Sequence, residues 1–140
     1  MNKPLILLAE DNEGDVVLVN EALRSCLSAY TLKVVKNGDE ADALLGRLAG
    51  EGKSNCPNIF LMDLNLPRTD AFKMLSQFRE HCGRDVPVVV VSSSYAPADM
   101  AKAYELGARR FFHKPTDLDE FLKLGPLVQE VLENNSTPRG

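Results

Sequence analysis

A chain of 140 residues is long enough for one domain with a sizeable core and too short for two of ordinary size. Its 44% hydrophobic and 26% charged residues exclude a disordered chain, and a net charge of −4 offers no basic footprint for a nucleic-acid backbone. The first apolar run, Leu5 to Ala9, is too short for a membrane helix or a signal peptide, so the chain is expected to work in the cytoplasm without membrane contact.

That run reads as a buried strand. The next helix begins after Asn12, whose side chain can cap it, with Asp15 placed to close a capping box and Val16, Val19, Leu23 and Leu27 at helical spacing. Residues 31–35 form the second strand and residues 39–48 the second helix, ending at Gly50. A third strand covers 59–62, and a third helix runs from near Asp70 through Phe72, Leu75 and Phe78 to a stop at Gly83, with His81 at the favourable end of its dipole. The fourth strand is expected over 86–91, the fourth helix over 97–106 with Gly107 as its stop, and the fifth strand over 109–112.

The last helix is expected to be capped by Thr116, with Asp119 three residues on. Gly125-Pro126 interrupts it, but the spacing of Phe121, Leu124, Val128, Val131 and Leu132 carries through, which predicts a kink and not an end. Residues 1–133 then make one domain and 134–140 a polar, frayed tail, with no output domain behind it. Cys26, Cys56 and Cys82 form no C-x-x-C pair and have no histidine at ligand spacing, so they are expected as reduced thiols filling apolar space.

Five strands alternating with helices make an α/β protein with a parallel sheet. In such a sheet the residues just past the strand ends share one edge, where ligands bind. Those residues are Glu10-Asp11, Asp63, Ser92 and Lys114, with only Lys36-Asn37-Gly38 bland. Carboxylates that close repel one another unless a cation sits among them, and a hard, oxygen-liganded ion such as Mg²⁺ is the natural answer. Lys114 adds a mobile positive charge and Ser92 a hydrogen bond for phosphate oxygens. Asp63, alone at a central strand end, is the best nucleophile, so the set describes phosphoryl transfer to a carboxylate.

Four blocks carry a resemblance: Ile6 to Asn12, Met62-Asp63-Leu64-Asn65-Leu66-Pro67, Pro87 to Ser92, and Phe111-Phe112-His113-Lys114-Pro115. In order and spacing they resemble the receiver domains of two-component response regulators. The resemblance implies a flavodoxin-like (βα)5, doubly wound five-stranded parallel sheet of order 2-1-3-4-5. It implies that Asp63 accepts phosphoryl from a phosphohistidine and that Asp11, Asp63 and the Asn65 carbonyl ligate Mg²⁺, with Glu10 acting through water. Lys114 would hold the phosphoryl group, and its bond to Pro115 would be cis. Ser92 and Phe111 match the switch positions, and Asn65 and Ser94 those that tune dephosphorylation.

Ala71 departs from the family's usual glycine and Phe111 from its commoner tyrosine. The opening Glu-Asp-Asn-Glu-Gly-Asp also looks, more weakly, like the cyanobacterial-phytochrome branch of free-standing receivers. The implied partners are a sensor histidine kinase or phosphotransfer protein and an unnamed downstream protein, with a homodimer left open. Such a domain is no enzyme beyond its own phosphorylation and dephosphorylation.

Other readings are weighed beside it. A flavodoxin-type cofactor binder would want a Gly/Ser/Thr-rich first loop, and a haloacid-dehalogenase-type hydrolase would want Asp-x-Asp where Asp63-Leu64-Asn65 stands. A receiver fold kept only for protein interaction remains the alternative. Glu10, Asp11, Glu13 and Asp15 could also simply favour the positive end of the first helix, His113 reads as a surface residue, and Tyr95 and Tyr104 carry no assignment.

Overall fold

The computed structural model of the chain describes residues 3–51 and 56–136. Its strands are β1 (Leu5–Ala9), β2 (Thr31–Val35), β3 (Ile59–Met62), β4 (Val88–Ser92) and β5 (Arg110–His113). Its helices are α1 (Glu13–Cys26), α2 (Gly38–Glu51), α3 (Ala71–Cys82), α4 (Pro97–Glu105), α5 (Leu118–Phe121) and α6 (Leu124–Ser136). All strand pairs are parallel, in the order β2-β1-β3-β4-β5.

Strand side chains alternate between faces, and here both faces are covered, which is why β1, β3 and β4 read as unbroken apolar runs. Leu7, Ala9, Phe60, Val88 and Val90 meet Ala41 and Leu45 of α2, Leu75 and Phe78 of α3 and Ala103 of α4. Ile6, Leu8, Ile59, Leu61, Val89 and Val91 meet Val19 and Leu23 of α1 and Phe121, Leu124 and Val128 from α5 and α6. Ala71, which takes the place of the expected glycine, starts α3 normally: Asp70 caps the helix and Ala71 is buried.

Strands β4 and β5 sit later than expected. Val86 and Pro87 lie before β4, where Pro87 can still offer its carbonyl to Phe60 N–H at 3.0 Å but has no N–H of its own. The last helix is capped by Asp117, not Thr116; the Asp117 carboxylate accepts from Asp119 N–H at 2.8 Å. The expected kink is a break. Pro126 has no N–H for the Leu122 carbonyl, Gly125 N–H supplies one instead at 3.1 Å, and the helix divides into α5 and α6. Helix α6 continues to Ser136, into the segment expected to fray; residues 137–140 lie outside the described residues.

Gly125 has a second reason to be there. A side chain at this position would run into the Ala22 carbonyl oxygen of α1 and stand 3.1 Å from Cys26 Sγ. Gly125→Ala is therefore expected to force α6 away from α1 and lower stability by about 1–3 kcal/mol in urea unfolding. An unchanged midpoint would mean that α6 shifts without cost.

Two of the three cysteines are not the reduced thiols expected. Cys56 and Cys82 are joined by a disulfide with Cα atoms 5.8 Å apart, and Cys26 alone is free. The reason is topological: a crossover helix returns to the edge where its strand began, so the last residue of α3 comes back beside the entrance to β3. Nearby, the half-buried Arg79 guanidinium donates to the carbonyls of Gly83 (3.3 Å), Val86 (2.8 Å) and Gly107. Its Nε is buried without a partner. The clamp joins the exits of α3 and α4 to the entrance of β4.

Candidate functional site

Four polar residues stand one step past, or at the end of, adjoining strands, and the sheet's own ladder fixes their backbones. Glu10 N–H donates to Val35 O at 2.9 Å, Asp63 N–H to Ala9 O at 3.0 Å and Lys114 N–H to Ser92 O at 2.9 Å. Sites built this way on strands hold their geometry better than sites on loops. Glu10, Asp63 and Ser92 are buried, at 1%, 5% and 0% exposure.

The Lys114 ammonium lies 2.6 Å from Glu10 Oε1, 2.7 Å from Asp63 Oδ2 and 2.8 Å from Asp15 Oδ2. The other oxygen of Asp63 accepts from Asn65 N–H at 2.9 Å, so both are engaged and the carboxylate is held in one orientation. Ser92 Oγ accepts from Ser94 N–H at 3.2 Å, and Asn65 Nδ2 approaches it at 3.4 Å. Each of Glu10, Asp11 and Asp63 offers one oxygen within 4.8 Å of the others'. A set made only of oxygens with excess negative charge fits a hard divalent cation.

Charge is unevenly distributed. Burial, reinforced by the Asp63 carboxylate, pushes the Glu10 carboxyl up to about 7 from an ordinary 4.5, against the pull of the Lys114 hydrogen bond and charge. Burial alone would weaken the Lys114 ammonium. Its hydrogen bonds to Asp15, Asp63 and Glu10 outweigh that and hold it above its ordinary value.

The expected residues do not all converge. Ser94 donates its hydroxyl to Asp99 Oδ2 at 2.8 Å, at the start of α4. Phe111 is half-buried against the core that includes α3 and α4. All peptide bonds of the described residues are trans, Lys114–Pro115 included; the ammonium reaches its three carboxylates without the expected cis bond.

Two features escaped the sequence reading. Asp15 does not close a capping box. Asn12 caps the helix, its Oδ1 accepting from Asp15 N–H at 3.0 Å, but the Asn12 N–H donates to Glu10 Oε2 at 3.3 Å and not to Asp15, whose carboxylate turns to Lys114. Its place in the first turn of a helix leaving this edge was the available signal. The second is an aromatic stack. Tyr95, 74% exposed, lies parallel on His113 with ring centroids 4.5 Å apart, and His113 meets Phe111 at 4.8 Å. Sequence carries no local sign of it, because Tyr95 and His113 come from different loops and strands.

A family described as the response regulator receiver domain matches residues 6–124. The response regulator Rcp1 of Synechocystis sp. is 31% identical over 86% of this chain and 82% of that protein. The probable methanogenesis regulatory protein FilR2 of Methanothrix harundinacea is 30% identical over 92% of this chain and 81% of that protein. Among solved structures, the phosphorylated cyanobacterial phytochrome response regulator RcpA superposes with a TM-score of 0.81 at 29% identity, covering 97% of this chain and 98% of that one. The Mn²⁺-bound form of Rcp1 gives 0.80 at 30% identity, covering 97% and 99%. Among the described residues no helix is long and apolar enough to cross a membrane. With the strand order, the site and these relatives in agreement, the chain belongs to the response regulator receiver domains of two-component systems, on the branch of the cyanobacterial phytochrome response regulators.

Proposed function

We propose that the chain is a phospho-switch whose acceptor is Asp63, charged by the phosphohistidine of a sensor histidine kinase or phosphotransfer protein in the cytoplasm. The observation that carries this is the single carboxylate placed between the Lys114 ammonium at 2.7 Å and the Asn65 N–H at 2.9 Å, inside the oxygen cluster with Glu10 and Asp11. In the transfer an Asp63 oxygen forms a bond to phosphorus as the P–N bond to the donor imidazole breaks, and the imidazole keeps that electron pair and takes up a proton.

Asp11 and Asp63, with the Asn65 carbonyl, would hold Mg²⁺, and Glu10 would act through its water. Bound there, the ion supplies neutralisation of the charge that develops on the phosphoryl oxygens. Lys114 holds those oxygens from the other side, and the Ser92 hydroxyl turns to donate to one of them. Asn65 and Ser94 tune the reverse reaction with water. Catalysis extends to the chain's own phosphorylation and dephosphorylation and to no other substrate.

The switch is read by a downstream protein at the surface of α4, β5 and the last helix, here divided into α5 and α6. Phe111, His113 and Tyr95 connect the site to that surface, and a homodimer through it would be one form of output. Incubation with phosphoramidate and Mg²⁺ should add one phosphoryl group by intact mass, and beryllofluoride should change amide exchange over that surface. Neither adduct nor beryllofluoride binding would instead favour a fold kept for protein interaction alone.

Protonated Glu10 opposes a cation at this site, and its carboxyl loses that proton near pH 7. Mg²⁺ affinity measured by calorimetry is therefore expected to rise as pH climbs through about 7 and to level off above it. A flat profile across that window would contradict the raised Glu10 value.

A further inference from the structure

The receiver reading gives roles to Glu10, Asp63 and Lys114 but leaves the third carboxylate on the ammonium without one. A lysine ammonium has three donors and no acceptor, and here each donor has its own carboxylate. Two of those carboxylates, Glu10 and Asp63, also belong to the oxygen cluster; Asp15 does not. Asp15 differs in setting as well. Its side chain is 26% exposed, against 1% for Glu10 and 6% for Asp63, so it is the least desolvated of the three. Its backbone is fixed independently, by the Asn12 cap at the start of α1.

We propose that Asp15 is a positioning residue for phosphotransfer to Asp63: it keeps hold of the Lys114 ammonium while the cation and the phosphoryl group claim the ammonium's other two partners. The inference rests on the Asp63 reading above. A lysine side chain has four rotatable bonds, and without a fixed partner its ammonium must be ordered anew when the phosphoryl group arrives. With one N–H held by Asp15, the two that remain are the ones on Glu10 and on the acceptor, Asp63. A carboxylate that only complemented the dipole of α1 would affect folding and leave ligand affinity alone.

The test compares wild type, Asp15→Ala and Asp15→Asn in phosphoramidate labelling rate at saturating Mg²⁺ and in beryllofluoride affinity, with melting temperature measured beside them. Losing a charge-assisted hydrogen bond should slow labelling and weaken beryllofluoride binding by about tenfold in Asp15→Ala. Asp15→Asn keeps an acceptor oxygen without the charge and should lose roughly two- to fourfold. A labelled wild type beside an Asp15→Ala protein of equal rate and affinity would overturn the proposal alone, whatever the melting temperatures. Should Asp15→Ala fail to fold, Asp15→Asn decides by the same two readouts, and wild-type values there would overturn it. An unlabelled wild type would overturn the Asp63 reading and this proposal together.

Discussion

Asp63→Asn is expected to abolish phosphoryl labelling completely while leaving the fold at least as stable as the wild type. The substitution keeps the shape of the side chain and an oxygen for the Asn65 N–H. It removes the charge that faces Lys114 and the nucleophilic oxygen, and an amide is a poor nucleophile toward phosphorus. Stability should survive because Lys114 retains Glu10 and Asp15. The Glu10 carboxyl is also relieved of the neighbour that helps to raise it. Intact mass after phosphoramidate treatment and a urea unfolding curve check both halves. Labelling at the wild-type rate would move the acceptor to another residue; a collapsed fold would mean that the Asp63 charge is needed to offset the buried ammonium.

Reduction of the Cys56–Cys82 disulfide is expected to have the largest effect on stability. The bond joins residues separated by 26 positions and closes a loop that contains β3 and all of α3. Loop-closure entropy for that length puts the loss at about 3.5 kcal/mol. Guanidinium unfolding with and without dithiothreitol measures it, and Cys82→Ala should show no response to the reductant. Equal midpoints in the wild type would mean that the unfolded chain is already compact there or that the thiols are not paired. The bond lies at the edge of the sheet opposite Asp63, so reduced protein should still take up phosphoryl. In a reducing compartment Cys82 would remain as a buried thiol at the end of α3, and Arg79 would hold that corner without the covalent link.

Much of this was legible beforehand, for physical reasons that differ from residue to residue. Strands β1, β2 and β3 lie where the apolar runs put them, since a run bounded by polar turn residues has little room to slide. The edge residues Glu10, Asp63, Ser92 and Lys114 follow from parallel topology alone: once the strands are placed, their ends are placed. What could not be read depends on meetings between distant parts of the chain. Cys56 and Cys82 carry no local pattern; α3 brings them together. Asp15 reads as a helix-start acid because its distance from Lys114 is 99 residues in sequence and 2.8 Å in space. Thr116 and Asp117 are both good caps, and only backbone placement chooses between them. Gly125-Pro126 was read as a bend because apolar spacing continues across it. The missing N–H at Pro126, with Gly125 taking over the Leu122 carbonyl, turned the bend into a break.

The Arg79 clamp has a mechanical consequence for α4. At its far end the helix runs into Gly107, whose carbonyl is held by the guanidinium and whose positive φ leaves no side chain in the way, with Arg79 Nε only 3.1 Å from where a Cβ would sit. At its near end, beside Ser92 and Tyr95, Ala96 offers no side chain to cap the helix N–H groups. A tilt of α4 would therefore pivot near the guanidinium, as a lever does at its fulcrum. The helix has nine residues, which makes it about 13 Å long, so a tilt of about 10° displaces the first turn by roughly 2 Å and the last hardly at all. Such a tilt would deliver its amplitude at the end next to Tyr95 and little at Gly107.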